Sequence, residues 1–125
     1  MTVAGELAAY GLERCGVDAG FSNVVVRRLT DGAQLRSLPA TTKPLGPESY
    51  HSVGSLVLKS DGAVAWIGVG SSILRRGSYA EVHRADRRGQ ALLDSGAAID
   101  PRSLKLNGST LSWRHANLTR GSSLR

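Results

Sequence analysis

The 125-residue chain is 41% hydrophobic and 21% charged. That balance excludes a disordered polar chain, and no apolar run reaches the roughly 20 residues of a membrane-spanning helix, so a soluble globular protein is expected. The net charge of +6 would attract polyanions, yet aromatics are only 5% and supply little material for stacking bases.

Only Lys43, Lys59 and Lys105 among the sixteen basic residues are lysines. An arginine bias of this kind follows from GC-rich coding without selection for binding. Cys15 is the sole cysteine, which excludes an internal disulfide and a thiolate-rich zinc site; it reads as a small, partly buried thiol in a loop. The opening "MTVAGELAAY" has neither a basic start nor a continuous apolar stretch, so no secretory signal is expected as written. Both a cytoplasmic chain and the mature part of a secreted one fit.

Taken in order, the segments alternate with period two between frequent turn signals, the pattern of half-buried strands. Strands are expected over Gly5–Glu13, Asn23–Leu29 and Gln34–Leu38, the last two joined at Asp31-Gly32, where glycine suits a tight hairpin. "PATTKPLGPESYHS", residues 39–52, holds three of the four prolines and no periodicity, so it reads as a loop without strand. Next come Ser55–Lys59, Ala63–Gly68, Tyr79–Ala85 and Gln90–Asp94, then Leu104–Leu106, Thr110–Arg114 and Leu118–Leu124. No window sustains a helical period. The riskiest assignment is "GELAAYGLER", whose apolar spacing also suits a helix.

"SLVLKSDGAVAW" at Ser55–Trp66 returns as "SLKLNGSTLSW" at Ser103–Trp113. A single shift also lays Gly5 on Gly62, Ala8 on Ala65, Gly11 on Gly68, Val25 on Val82 and Leu35 on Leu92. Such self-similarity marks a repeat of strand units. The fold class that follows is all-β, an antiparallel meander of about ten strands in propeller-blade-like repeats, with a β-sandwich as the alternative. One domain over 1–125 is expected, divided into a partial repeat 1–38, a linker loop 39–52, a full repeat 53–98 and a partial repeat 99–125.

The run "SLVLKSDGAVAWI…YAEVHRADRRGQALLDSGAAIDPRSLKLNGSTLSW" resembles the C-terminal blade region of uncharacterised β-propeller-like proteins of high-GC bacteria. The likeness covers Val53–Leu124 and the N-terminal part more loosely. It implies a fold and no activity. The Asp-box turn of sialidase-type propellers differs, because Ser60, Asp61 and Gly62 are contiguous here, so Trp66 and Trp113 read as core aromatics.

The chemistry-bearing patterns are few. His51, His83 and His115 lack metal-ligand spacing, and no metal or cofactor is expected. "GVGSSI" lacks the third glycine and the helix of a dinucleotide loop. No nucleophile motif occurs, so no catalytic residue is assigned. The sequons at Asn107 and Asn117 matter only in a eukaryotic secretory route.

Two sharper patterns remain. In "YAEVHRAD", Tyr79, Glu81 and His83 fall on one strand face, where a carboxylate and an imidazole can touch; a polar rim strand is the plainer reading. Arg75, Arg76, Arg84, Arg87 and Arg88 form the densest cationic stretch. Loop and turn lie at opposite ends of the intervening strand, roughly 20 Å apart, which argues against one compact anion pocket.

Three functions are open. The leading one is a non-enzymatic β-repeat module for binding or assembly, with no pattern naming its ligand. The others are a basic binder of polyanions, nucleic acid or anionic glycan, and an enzyme whose site is assembled from Glu81 and His83. Incomplete repeats at both ends would expose strand edges and favour self-association, or else an open or rearranged sandwich.

Overall fold

The computed structural model describes residues 1–15, 20–41, 49–72 and 77–125, and its elements are all strands. They are β1 (Thr2–Ala4), β2 (Leu7–Cys15), β3 (Gly20–Arg28), β4 (Gln34–Pro39), β5 (Ser49–Leu58), β6 (Val64–Ser72), β7 (Gly77–Asp86), β8 (Gly89–Gly96), β9 (Lys105–Asn107), β10 (Thr110–His115) and β11 (Leu118–Ser123). Neighbours in sequence pair antiparallel, giving units of four, four and three strands. A parallel bridge from Gly20, in the part of β3 that runs past the end of β4, to Tyr50 of β5 links the first two. The chain is thus all-β, consistent with a meander of blade-like repeats.

The turns explain why the meander closes so tightly. Asp31 accepts the main-chain N–H of Ala33 and Asp61 that of Ala63, both at 3.0 Å. A short carboxylate reaching two residues on sets the chain reversal locally. Gly5 and Gly62 occupy equivalent hairpins with φ of 58° and 95°, a region costly to side-chain-bearing residues. The segment over Glu6–Arg14 lies in strand rather than helix, apart from the turn at its start.

Several boundaries differ from the sequence reading: β2 runs on to Cys15, a residue that the sequence places in a loop, and β6 runs four residues past Gly68 to Ser72. β1 gives the first unit a fourth strand, a three-residue element too short to show alternation. β5 begins at Ser49, four residues inside the segment read as loop, because Ser49–Ser52 pair with Val69–Ser72 despite their polar composition. Register supplies what local propensity does not.

The sheets stack face to face through two apolar layers. Leu7, Ala9, Val24 and Val26 of the first sheet meet Leu58, Val64, Trp66 and Ala85 of the second. Ala65, Ile67, Ala80 and Val82, on its opposite face, meet Ile99, Leu104, Leu111, Trp113 and Leu124. The middle sheet is therefore covered on both sides, which is why "AVAWIGV" is nearly continuous in apolar character. Each fully buried large side chain here contributes about 1.5–3 kcal/mol.

Alternation in the best-defined strands predicts burial of Leu56, Leu58, Val64, Trp66, Val82, Leu92, Leu104, Leu106, Leu111 and Trp113; of these Leu58, Val64, Trp66, Val82, Leu104, Leu111 and Trp113 are buried, and Leu56 and Leu106 pack partly against the layers. Leu92 does not: it is 50% exposed. A register shift between Val82 and His83 places Asp94 opposite Val82 and Leu92 opposite His83, so Leu93 is the extra residue and packs inward instead.

Candidate functional site

β6 and β7 pair so that Trp66 faces His83, Gly68 faces Glu81 and Gly70 faces Tyr79. Period two puts all six on the face turned toward the first sheet. Each large residue on one strand sits beside a small one or a flat ring on the other. Trp66 and His83 stack with centroids 5.2 Å apart and planes 12° from parallel. A Cβ on Gly70 would lie 2.7 Å from the Tyr79 ring, and one on Gly68 would lie 1.9 Å from the Ala40 carbonyl oxygen. The two glycines are the space into which tyrosine and main chain settle.

That carbonyl accepts the Trp66 indole N–H at 3.0 Å, while the Ala40 N–H donates to Ser22. The Ser22 hydroxyl donates to the His51 carbonyl, and the Thr41 hydroxyl bonds His51 Nδ1. Burial pushes the His51 imidazole down from its ordinary range, with the Glu81 charge acting the other way. Burial likewise pushes the Tyr79 phenol up, against a hydrogen bond with Thr41 and with the Glu81 charge reinforcing it.

At the centre, Glu81 Oε1 lies 3.0 Å from His83 Nε2, as the shared strand face suggested. The plainer reading, a polar rim strand, is corrected: β7 is an inner strand and the two side chains are 3% and 1% exposed. Imidazole and carboxylate have the composition of an acid–base pair, but Trp66 and the sheets seal them from substrate. Among the described residues His83 Nδ1 has no hydrogen-bond partner. A neutral ring donating from Nε2 leaves that atom a bare acceptor, at a cost of about 1–3 kcal/mol.

A second polar knot joins the middle and third sheets. Asp94 accepts the Trp113 indole N–H and bonds His115 Nδ1, both at 2.9 Å, and Arg120 approaches at 3.5 Å. Burial raises the Asp94 carboxyl, yet these bonds hold it below its usual range. Both tryptophans are buried core aromatics, each anchored by its N–H across a sheet boundary.

The cationic stretch divides. Arg75 and Arg76 lie outside the described residues, as does the Cys15 side chain. Arg84 and Arg88 are paired with Asp86 at 3.0 and 2.9 Å. Asp86 also accepts the main-chain N–H groups of Arg88 and Arg125. Burial raises its carboxyl, but the Arg88 bond, the two N–H groups and the Arg84 charge hold it far below the usual range.

Arg87 stays exposed and gains companions that its sequence neighbours did not indicate. With Arg36, Arg125, Asp61 and Ala63 it lines a hollow of about 200 Å³. Arg36, within β4, and Arg125, after β11, are remote in the chain, and no local pattern links them to Arg87. Two larger hollows have other linings: one of about 330 Å³ includes Thr2, Ser22 and Ser55, and one of about 320 Å³ includes Arg102, Lys105 and Arg114.

Among the described residues no group of three or more His, Cys, Asp or Glu is assembled to hold a metal, and no helix is long and apolar enough to cross a membrane. Compared with known proteins, the chain matches no family model, no curated protein and no solved structure.

Proposed function

We propose that the chain is a non-enzymatic β-repeat module that works by binding and assembly, and that a second copy attaches along β11. The observation that carries this is an edge: among the described residues β11 pairs with β10 and with no other strand. The His115↔Leu118 pair closes a two-residue turn, with φ of 56° at Ala116. In such hairpins the closing pair is hydrogen-bonded and alternate residues point their main-chain groups outward. Leu118, Arg120 and Ser122 therefore serve β10, while Thr119, Gly121 and Ser123 face the free edge.

The bond from Arg88 to the Ser123 carbonyl, 2.7 Å, fits that direction and caps one end of the edge. The rest offers unpaired N–H and C=O groups to a partner strand. Two copies meeting β11 to β11 give a two-fold, self-complementary joint. Sealing of Glu81 and His83 weighs against the enzymatic reading. The test is the mass in solution of the full chain and of Thr119→Pro, which removes one outward donor without touching the β10 ladder. Dimer for the parent and monomer for the variant are expected; a parent that stays monomeric at high micromolar concentration overturns the proposal.

A further inference from the structure

The hollow between Arg36, Arg87 and Arg125 has chemistry of its own. The three arginines come from three places: β4 of the first sheet, the β7–β8 turn of the second, and the residue following Leu124, whose side chain is buried against the third. Arginine–carboxylate pairing falls on Arg28, Arg84, Arg88 and Arg120, so among the described residues none of these three guanidinium groups is neutralised in an ion pair. The side-chain carboxylate in the lining, that of Asp61, commits Oδ1 to the Ala63 N–H.

The site is held in place from beneath. Asp86 binds the Arg125 N–H at 2.8 Å, and the Arg87 N–H reaches the Arg125 main-chain oxygen at 3.4 Å. Lys59 donates to the Leu124 carbonyl at 3.1 Å and adds a further positive charge to this end. Turn, chain segment and sheet are thus locked together through the main chain of Arg87 and Arg125 and through Asp86 and Lys59, which are not among the lining residues. Like charges brought together without partners are costly unless an anion joins them.

We propose that this hollow binds a tetrahedral oxyanion, a phosphate or sulfate group. Guanidinium forks match such an oxyanion with paired, charge-assisted hydrogen bonds. A volume of about 200 Å³ falls below the roughly 300–1,000 Å³ of pockets that enclose drug-sized ligands, so the site holds the charged group and leaves any remainder of the ligand outside.

Calorimetric titration of the full chain with sodium phosphate, against sodium chloride at matched ionic strength, and with short-chain polyphosphate tests this. Saturable binding is expected, weakened about tenfold or more by Arg36→Gln and by Arg87→Gln, as loss of a hydrogen bond to a charged group predicts. Arg28→Gln, at the same end of the sheets but paired with Asp31, should leave binding unchanged. Melting midpoints of the Arg36 and Arg87 variants should match the parent, since these side chains neutralise no internal carboxylate. Polyphosphate bound more tightly, with the same dependence on Arg36 and Arg87, assigns the site to a group carried on a polymer; equal affinity assigns it to the free anion. Binding no better than chloride for both probes, or equal weakening by Arg28→Gln, overturns the proposal.

Discussion

His83 lies flat against Trp66, centroids 5.2 Å apart, and is held there from its edge by Glu81 at 3.0 Å. Removing the carboxylate leaves the His83 Nε2–H buried without that acceptor. Glu81→Ala should therefore lower stability by about 1–3 kcal/mol. A urea midpoint shift worth less than about 1 kcal/mol would show that the pair holds nothing together.

Gly68 bears the closest approach in the inter-sheet layer, and the neighbouring atom is main chain rather than a flexible side chain. Gly68→Ala must push the Ala40 carbonyl away and break its bond to the Trp66 indole. A loss of about 1–3 kcal/mol is expected, read as a lowered melting midpoint with Trp66 fluorescence shifted to the red. An unchanged midpoint would place Ala40 elsewhere.

Asp86 sets the acid limit. Its folded carboxyl titrates well below the ordinary 3.8, so its contribution is complete above that value and drains away as pH falls beneath it. Between pH 5 and pH 2 the parent should lose more stability than Asp86→Asn does, by more than about 1 kcal/mol. Parallel curves in urea titrations at both pH values would contradict the hub assigned to Asp86.

Trp113 ties β10 to Asp94 through its N–H and fills the second apolar layer. Trp113→Ala should cost about 3–5 kcal/mol. Trp113→Phe keeps much of the packing and loses the hydrogen bond, so a smaller loss is expected. Equal losses would mean that the polar tie, not the packing, dominates.

The alternation of the strands was plain in the residues, and so were the turns at Asp31-Gly32, Asp61-Gly62 and Asn107-Gly108, because both are set by neighbours within a few positions. Glu81 facing His83 followed from period two alone. That the pair would be sealed did not, since covering it takes Trp66 of the neighbouring strand and the first sheet packed on that face. Leu92 was misplaced because it lies before a one-residue bulge on the edge strand β8, where Leu93, the extra residue, packs inward in its place. The convergence of Arg36, Arg87 and Arg125 was invisible for the same reason as β5's true start: both depend on which strands stack or pair, not on local pattern.

Assembly through β11 is tested most directly by light scattering across a concentration series. The account predicts that the parent chain reaches twice the 13.2 kDa of the monomer as concentration rises, and that Thr119→Pro remains near 13.2 kDa with an unchanged cooperative melt. A parent held at monomer mass up to high micromolar concentration, or a Thr119→Pro variant that dimerises as well as the parent, would contradict it.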